Sequence, residues 1–427
     1  MQRAHIENGV SCQGAEFHGR ASFRGNFNGI ADFKRTIFYE MPSFSYTDAH
    51  QWEFQGARFE KGAKFHSSAF RSLAVFQNIC FNEVLSFSNS IFHCIPNFSG
   101  IKGSTLDFSG SKFLKNASFS NMFLRDLLNF ERTNFEGDAE FINIEARTFT
   151  AANANFTNHT VLNECKVRET ASFERTFFGG SIDFESSLFF GETNFRKSIF
   201  EDQTFFDRAV FSSVLNFKSC RFLSQVSFTE TCFSKYFPNF KNCIFKENVT
   251  FSASHPFWPP ISTRATREAR NSLNTIRHLV SKQGFIEDEH YFFRREMALA
   301  ARLGTLRQRL PYWLFGLLSD FGNSIHRPGW ALLITWFMGF ASYLGYLCWP
   351  QNTEALSCEI FGSTSKAAGF SFSNVFGFLG FNRLYFSPEE LFALPTVLKV
   401  IAASQTVAGA ILIFLLGLGL RNRFRLK

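Results

Sequence analysis

Spacings that would mark a metal site or an enzyme are missing from this sequence. Its 9 cysteines include no Cys-x-x-Cys pair and keep no regular interval with histidine, which argues against zinc. An odd number of cysteines without a framework points to reduced thiols in a reducing compartment. There is no Gly-x-Ser-x-Gly elbow, P-loop, His-Glu-x-x-His helix or dinucleotide-binding glycine run, the arrangements that place a nucleophile, a phosphate or a metal. His278, His290 and His326 have no nucleophile at a fixed interval and read as solvated or packed side chains. No catalytic, cofactor-binding or metal-ligating residue is assigned, and the expectation is a protein that is not an enzyme and takes no cofactor. The first residues, MQRAHIENGV, hold no apolar run, so no secretory signal is expected. Tyrosine and tryptophan are scarce, 8 and 6 residues beside 61 phenylalanines. Globular cores mix Leu, Ile, Val and Phe, so a core drawn from one residue type implies one structural position used many times.

Net charge is also lacking over most of the chain. Residues 1–255 carry 26 Lys and Arg against 26 Asp and Glu, so the remaining 18 against 10 supply the whole formal charge of +8. The basic excess thus accompanies the apolar C-terminal part, which suggests a membrane surface before nucleic acid.

What the sequence does have is a repeat. Phe54, Phe65, Phe76, Phe87 and Phe98 recur every 11 residues, and Phe59, Phe70, Phe81 and Phe92 form a second series between them. The combined interval alternates five and six. It returns through Phe173, Phe178, Phe184, Phe189, Phe195, Phe200, Phe206, Phe211, Phe217, Phe222, Phe228 and Phe233, with a looser start near Phe17 and a last copy near Phe251. Neither the helical nor the strand period gives this spacing. A corner every five or six residues does, and four sides close one coil of about 22 residues, stacked at the strand spacing of about 4.8 Å. Residues two before each Phe should also point inward and be small or apolar: Ala57, Ala63, Ser68, Ala74, Leu85, Ala117, Ala139, Ala171, Ala209, Leu215, Cys220 and Cys243. Cys80, Cys220, Cys232 and Cys243 read as core fillers at or beside such positions. The expected core ladder includes Phe54, Phe59, Phe65, Phe70, Phe76, Phe81, Phe87, Phe92, Phe173, Phe184, Phe195, Phe206, Phe217 and Phe228. Between Phe141 and Phe173 the register weakens at Ala146, Phe156, Leu162 and Val167, so a bulged or looped coil is expected over 142–172. Asn, Ser and Gly after the rings suit corner turns.

The pattern F-x-x-A-x-F-x-x-x-A-x-F resembles the pentapeptide-repeat proteins, over roughly residues 15–252. The resemblance implies a right-handed quadrilateral β-helix and a mostly β fold. A solenoid over 1–255 is expected to stop at His255-Pro256-Phe257-Trp258-Pro259-Pro260, where prolines cannot donate ladder hydrogen bonds. Residues 256–327 read as a helical linker, with one helix capped by Ser262 or Thr263 and ended by Gly284, and a second starting near Glu287-Asp288-Glu289.

Residues 328–349 and 395–420 (its apolar run 400–420) each hold a run of about 21 uncharged residues, long enough to span a bilayer. Gln405, Ala402, Ala403, Ser404, Ala408 and Gly409 suit a close helix contact. Arg309 and Arg327 before the first span, and Arg421, Arg423, Arg425 and Lys427 in the 421–427 tail, should mark the cytoplasmic interface. Two spans then leave both termini and the solenoid cytoplasmic at a bacterial inner membrane, with a 350–394 loop outside that could re-enter the bilayer. Span, loop with an apolar middle, and span resemble two-helix ion-channel subunits. That likeness implies a pore segment with Ser371, Ser373 and Asn374 facing the pathway and Gly380-Phe381 as the echo of a filter; no Thr precedes the pair at the filter's spacing, no second Gly follows, and Arg383 comes after it.

Three roles follow as expectations. One is a membrane-anchored scaffold that shows a rigid rod to a cytoplasmic protein partner. Another is a pore subunit, a homo-tetramer by analogy, gated by the rod. The third, mimicry of duplex DNA, needs an acidic rod that the neutral count does not supply, so neither that role nor nucleic acid as a partner is expected.

Overall fold

The computed structural model describes residues 4–6, 9–261, 266–348, 360–377, 380, 392 and 394–424. They form two compact units, Met1–Phe293 and Arg294–Lys427.

The first unit is a parallel β-solenoid of about eleven coils. Strand partners lie one coil apart: Phe177 pairs with Ile199, Ile199 with Arg221 and Arg221 with Ile244. Each side of a regular coil supplies only two or three strand residues, as at Ile199–Phe200 and Thr204–Phe205. Corners take the rest, which keeps strand to about 31% of the chain, close to the 30% in helix.

Four inward ladders run along the coil. The first passes through Phe17, Phe38, Phe59, Phe81, Gly103, Leu124, Ala146, Val167, Phe189, Phe211 and Phe233. The second holds Phe44, Phe65, Phe87, Phe108, Phe130, Ala151, Phe173, Phe195, Phe217 and Phe240; the third Phe70, Phe92, Phe113, Phe135, Phe156, Phe178, Phe200, Phe222 and Phe245; the fourth Phe33, Phe54, Phe76, Phe98, Phe119, Phe141, Leu162, Phe184, Phe206, Phe228 and Phe251. Within a ladder the rings stack nearly parallel, Phe92 on Phe113 at 4.6 Å and 1°. Across the core they meet edge to face, Phe54 on Phe65 at 5.2 Å and 88°. Each buried ring contributes about 1.5–3 kcal/mol, and both geometries suit aromatic quadrupoles. All fourteen ladder residues named from the sequence are buried, Phe81 least at 3% exposure. Each 11-residue series alternates between two ladders, one coil being two series steps.

The backbone carries the same 11-residue period. The residue two after each ring of the second and fourth ladders, from Phe33 to Phe240, has positive φ, from Arg35 and Tyr46 through Asn78, Asn89 and Lys197 to Asn242, with Gly56, Gly100 and Gly110 in the same place. Asn and Gly suit that conformation; Arg and Lys hold it at a cost of about 1–2 kcal/mol each. Small positions are satisfied too. Ser90, Ser111, Thr133, Thr176 and Thr231 are buried, and each hydroxyl donates to the carbonyl of a ring or Ala residue one coil back, as Thr231 does to Phe206 at 2.8 Å. Eleven of the twelve positions expected two before the rings are buried; Cys243 is only half-buried. Cys80 corrects the core-filler reading: it lies outward and exposed, one residue before Phe81, and Cys232 is half-buried, while Cys94 and Cys165 fill the core instead.

Residues 142–172 continue the coil. The register slips once, between Ala146 and Thr148, so the expected irregularity is a bulge and no loop is inserted. The ladder substitutes compensate one another. Ala151 leaves a gap that Phe149 fills from two residues earlier, at 6.0 Å from Phe130 and 5.3 Å from Phe173. Ala49 leaves another in the third ladder, filled by Trp52 between Phe27 and Phe70.

The last coil is covered by more than prolines. The Trp258 ring lies over it, meeting Phe233 at 4.8 Å and Phe292 at 5.0 Å. Its Nε1 donates to the Ser252 carbonyl at 2.8 Å, so the indole is buried with its one donor satisfied. Helix α1 (Arg267–Lys282) lays Ala269, Ser272, Leu273, Ile276 and Val280 inward, and Gln283 donates to the Val249 carbonyl at 2.9 Å. Its N-cap is Thr266, whose hydroxyl accepts from the Ala269 amide at 3.1 Å; the expected caps Ser262 and Thr263 lie outside the described residues. Gly284, at φ +79, ends the helix as expected. Helix α2 (Ile286–Ala300) begins in the first unit and ends in the second.

The second unit is helical: α3 (Leu306–Ser319), α4 (His326–Cys348), α5 (Ile360–Val375) and α6 (Thr396–Phe424). Helices α4 and α6 are long and apolar enough to cross a membrane. They begin and end near the limits expected from the sequence; α3, a further helix within the 256–327 linker, and α5, within the 350–394 loop, pack against them.

Candidate functional site

Two places gather polar or charged groups at an irregularity of the fold, one in each unit. On the solenoid, the first ladder lapses at Gly103. A Cβ there would lie 2.2 Å from Phe81 Cζ, because the Phe81 ring leans across the missing side chain. Beside it lies a notch of about 370 Å³, bordered on its outer side by Arg58, Cys80, Asn82, Lys102, Phe123 and Arg125. The three cations differ in state. Arg58 is held by Glu60 at 2.5 Å, and Arg125 donates to the Asn82 carbonyl at 3.1 Å, whereas Lys102 has no ion-pair partner among the described residues. Phe123 is 40% exposed, with the Arg168 guanidinium 5.7 Å from its ring centre. Beyond the notch the same side carries two charge pairs, Arg147 with Glu169 at 2.8 Å and Arg168 with Glu145, and then the uncharged, half-buried Leu188 and Val210. An anion with an apolar neighbour would find complementary groups at the notch.

In the second unit, a polar cluster joins α4, α5 and α6. Tyr343 Oη donates to Gln405 Oε1 at 2.9 Å, and Asn374 Nδ2 donates to Tyr343 Oη at 3.3 Å. Gln405 Nε2 donates to the Thr335 carbonyl and to Ser371 Oγ, both at 2.9 Å, and Ser371 Oγ donates to the Trp336 carbonyl at 2.7 Å. Two glycines permit the approach. A Cβ on Gly339 would lie 1.8 Å from Gln405 Nε2, and one on Gly409 would lie 2.1 Å from the Val375 carbonyl oxygen. Hydrogen bonds of this kind, with small residues between helices, hold apolar helices together where burial alone does not.

The expected pore residues divide. Ser371, Ser373 and Asn374 are buried on α5; Gly380 is exposed with φ +70; Phe381 lies outside the described residues. Of the small residues expected at a helix contact, Gln405 and Gly409 are buried, whereas Ala403 and Ser404 are exposed. Arg309, Arg421 and Arg423 are exposed, Arg327 donates to the Gly316 carbonyl at 2.9 Å, and Arg425 and Lys427 lie outside the described residues. Tyr343, Gly339 and the notch were missed. Only the notch had a sequence signal, since position 103 is where the series Phe59, Phe81 falls due.

No family model matches the chain, and no curated protein or solved structure matches it.

Proposed function

We propose that the chain is a membrane-anchored pentapeptide-repeat scaffold, held in a bacterial inner membrane by α4 and α6, with the solenoid and both termini cytoplasmic. The role is non-enzymatic: a filled solenoid offers a side to a partner rather than a cleft to a substrate. The observation that carries the reading is the notch beside Gly103, around which Lys102, Arg125 and Phe123 meet on the outer side of the solenoid. The partner would be a cytoplasmic protein with an acidic and aromatic segment. Photo-cross-linkers placed in cells at Cys80 and Phe123, both at the notch, should trap one discrete product, lost in K102E/R125E, while a cross-linker at Val210 further along the side should not. Equal products from all three positions would remove the notch from the argument.

A second reading, a subunit of an oligomeric pore, is favoured by α5. This 16-residue helix ends at Val375 against Gly409, about halfway along the 29-residue α6, as a re-entrant helix in a bilayer would. Purified protein in planar bilayers decides it. Unitary currents from a closed oligomer, abolished by deleting 370–386, would promote the pore; a silent bilayer with a monomer would leave α4 and α6 as an anchor. Duplex mimicry is not proposed, because the rod is neutral.

A further inference from the structure

Helix α3 has 14 residues, too few to span a bilayer. Its Thr305 amide donates to Gln308 Oε1 at 3.1 Å, which fixes the start of the helix. Leu306, Leu310, Trp313, Leu314 and Leu317 follow one another at helical intervals and cover an arc of about 100°. All five are exposed, from 39% at Leu314 to 84% at Leu306. Ser319, on the opposite side, is buried, and Tyr312 and Phe315 beside it are half-buried. The apolar arc therefore faces away from the protein. Arg307 and Arg309 flank it, one at each edge, and both are exposed.

The level of α3 is set by its C-terminal turn. Asp320 and Phe321 have positive φ and turn the chain into α4. Arg327, in the first turn of α4, donates to the Gly316 carbonyl at 2.9 Å and pairs with Asp320. Asn422, in the last turn of α6, donates to the Gly322 carbonyl at 3.0 Å. The end of α3 is thus tied to the end of α4 where its apolar run begins and to the end of α6 where Arg421 and Arg423 close the other. If α4 and α6 span a bilayer, that level is the boundary between headgroups and acyl chains.

We propose that α3 is an interfacial helix, its Leu306–Leu317 arc sunk among the outer acyl carbons and Arg307 and Arg309 on the phosphates of anionic phospholipid. The inference rests on the membrane placement of α4 and α6. Charge and position favour lipid over a second copy of the chain: the arc is edged by cations and continuous with two membrane-spanning helices.

Tryptophan quenching tests this in the full chain, reconstituted into phosphatidylcholine vesicles containing phosphatidylglycerol. Lipids brominated near the ester or near the chain terminus report depth. Trp313 lies on the arc and Trp330 on an exposed side of α4, so W313F and W330F, subtracted from the natural protein, give each signal with little risk to folding. The expected result is that Trp313 is quenched more by the shallow label than the deep one, and more by brominated phosphatidylglycerol than phosphatidylcholine. R307Q and R309Q should each reduce that preference by up to about fivefold. Quenching of Trp330 without Trp313 would overturn the interfacial helix and leave the membrane reading standing, with a doubled particle mass in detergent identifying a second copy as the cover. Stronger quenching of Trp313 by the deep label would overturn it in favour of insertion. Quenching of neither would overturn the membrane placement itself.

Discussion

The two units bury apolar residues by opposite means. In the solenoid one side-chain type repeats on four ladders, so each ring has nearly the same neighbours as the ring one coil away, and the backbone hydrogen bonds run between coils. In the helical unit the backbone bonds run within each helix, and specificity comes from a handful of unlike groups: a phenol, two amides, a hydroxyl and two glycines. The first arrangement spreads stability over many equivalent contacts; the second concentrates it at one depth of the bundle. A repeat array behaves as a chain of nearest-neighbour interfaces, so an error in one coil stays local, whereas an error at Gln405 reaches three helices at once.

The largest effect that would test this contrast is in the solenoid core. Phe206→Ala removes a ring stacked on Phe184 at 4.9 Å and on Phe228 at 4.9 Å, and should cost about 3–5 kcal/mol, read as a lower denaturation midpoint in β-sheet circular dichroism. A similar loss from Gln405→Leu would erase the contrast; about 0.6–2 kcal/mol is expected there. Next in size is the exchange of Phe149 and Ala151. Ala151→Phe alone should overpack and cost about 1–3 kcal/mol, and adding Phe149→Ala should recover most of it by restoring the regular ladder. An additive double variant would show that Phe149 does not occupy the gap of Ala151.

Smaller effects come from corners and thiols. Lys197 holds φ +62, and Lys197→Gly should stabilise by up to about 1 kcal/mol, strain relief outweighing the entropy glycine adds to the unfolded chain. Burial raises the thiol pKa of Cys165 to about 12 and of Cys94 to about 11. Above the unfolded thiol range the native state then binds more protons than the unfolded one, so stability should fall as pH rises past about 8.5, until the folded pKa is reached. Replacing both residues with Ser or Ala should reduce that alkaline slope, and the Cys220 thiol, which burial also raises, should keep the remainder. Under native conditions exposed Cys80 should take a maleimide first, and the fully buried Cys220 last.

Much of the solenoid was legible because its signal is arithmetic. The 11-residue series of Phe54 and Phe59 required a coil of twice that length, and the small residues two before each ring agreed. What could not be read was compensation. Trp52 fills the space of Ala49, Phe149 that of Ala151, and Phe81 leans over Gly103, each depending on where a ring turns in a packed core. In the helical unit, span length was plain from uncharged runs. The partners of Gln405 were not, since Tyr343 is 62 residues away and Ser371 34. Helix α3 was hidden by Pro311 and Gly316 inside it, and a run of its length fits neither a span nor a periodic core helix.

The positive-φ corners fall every half coil, in step with the rings. Insertion or loss of 22 residues would therefore restore every ladder and every corner, and shift the notch along the rod by about 4.8 Å without turning it. A change of 11 would also keep rings facing rings and corners facing corners, because the second ladder then continues into the fourth and the first into the third. It would, however, leave the notch on the opposite side with respect to the α1 cap. The solenoid thus acts as a vernier: its length can drift in small equal steps during evolution, while the direction in which it shows the notch is restricted to two settings.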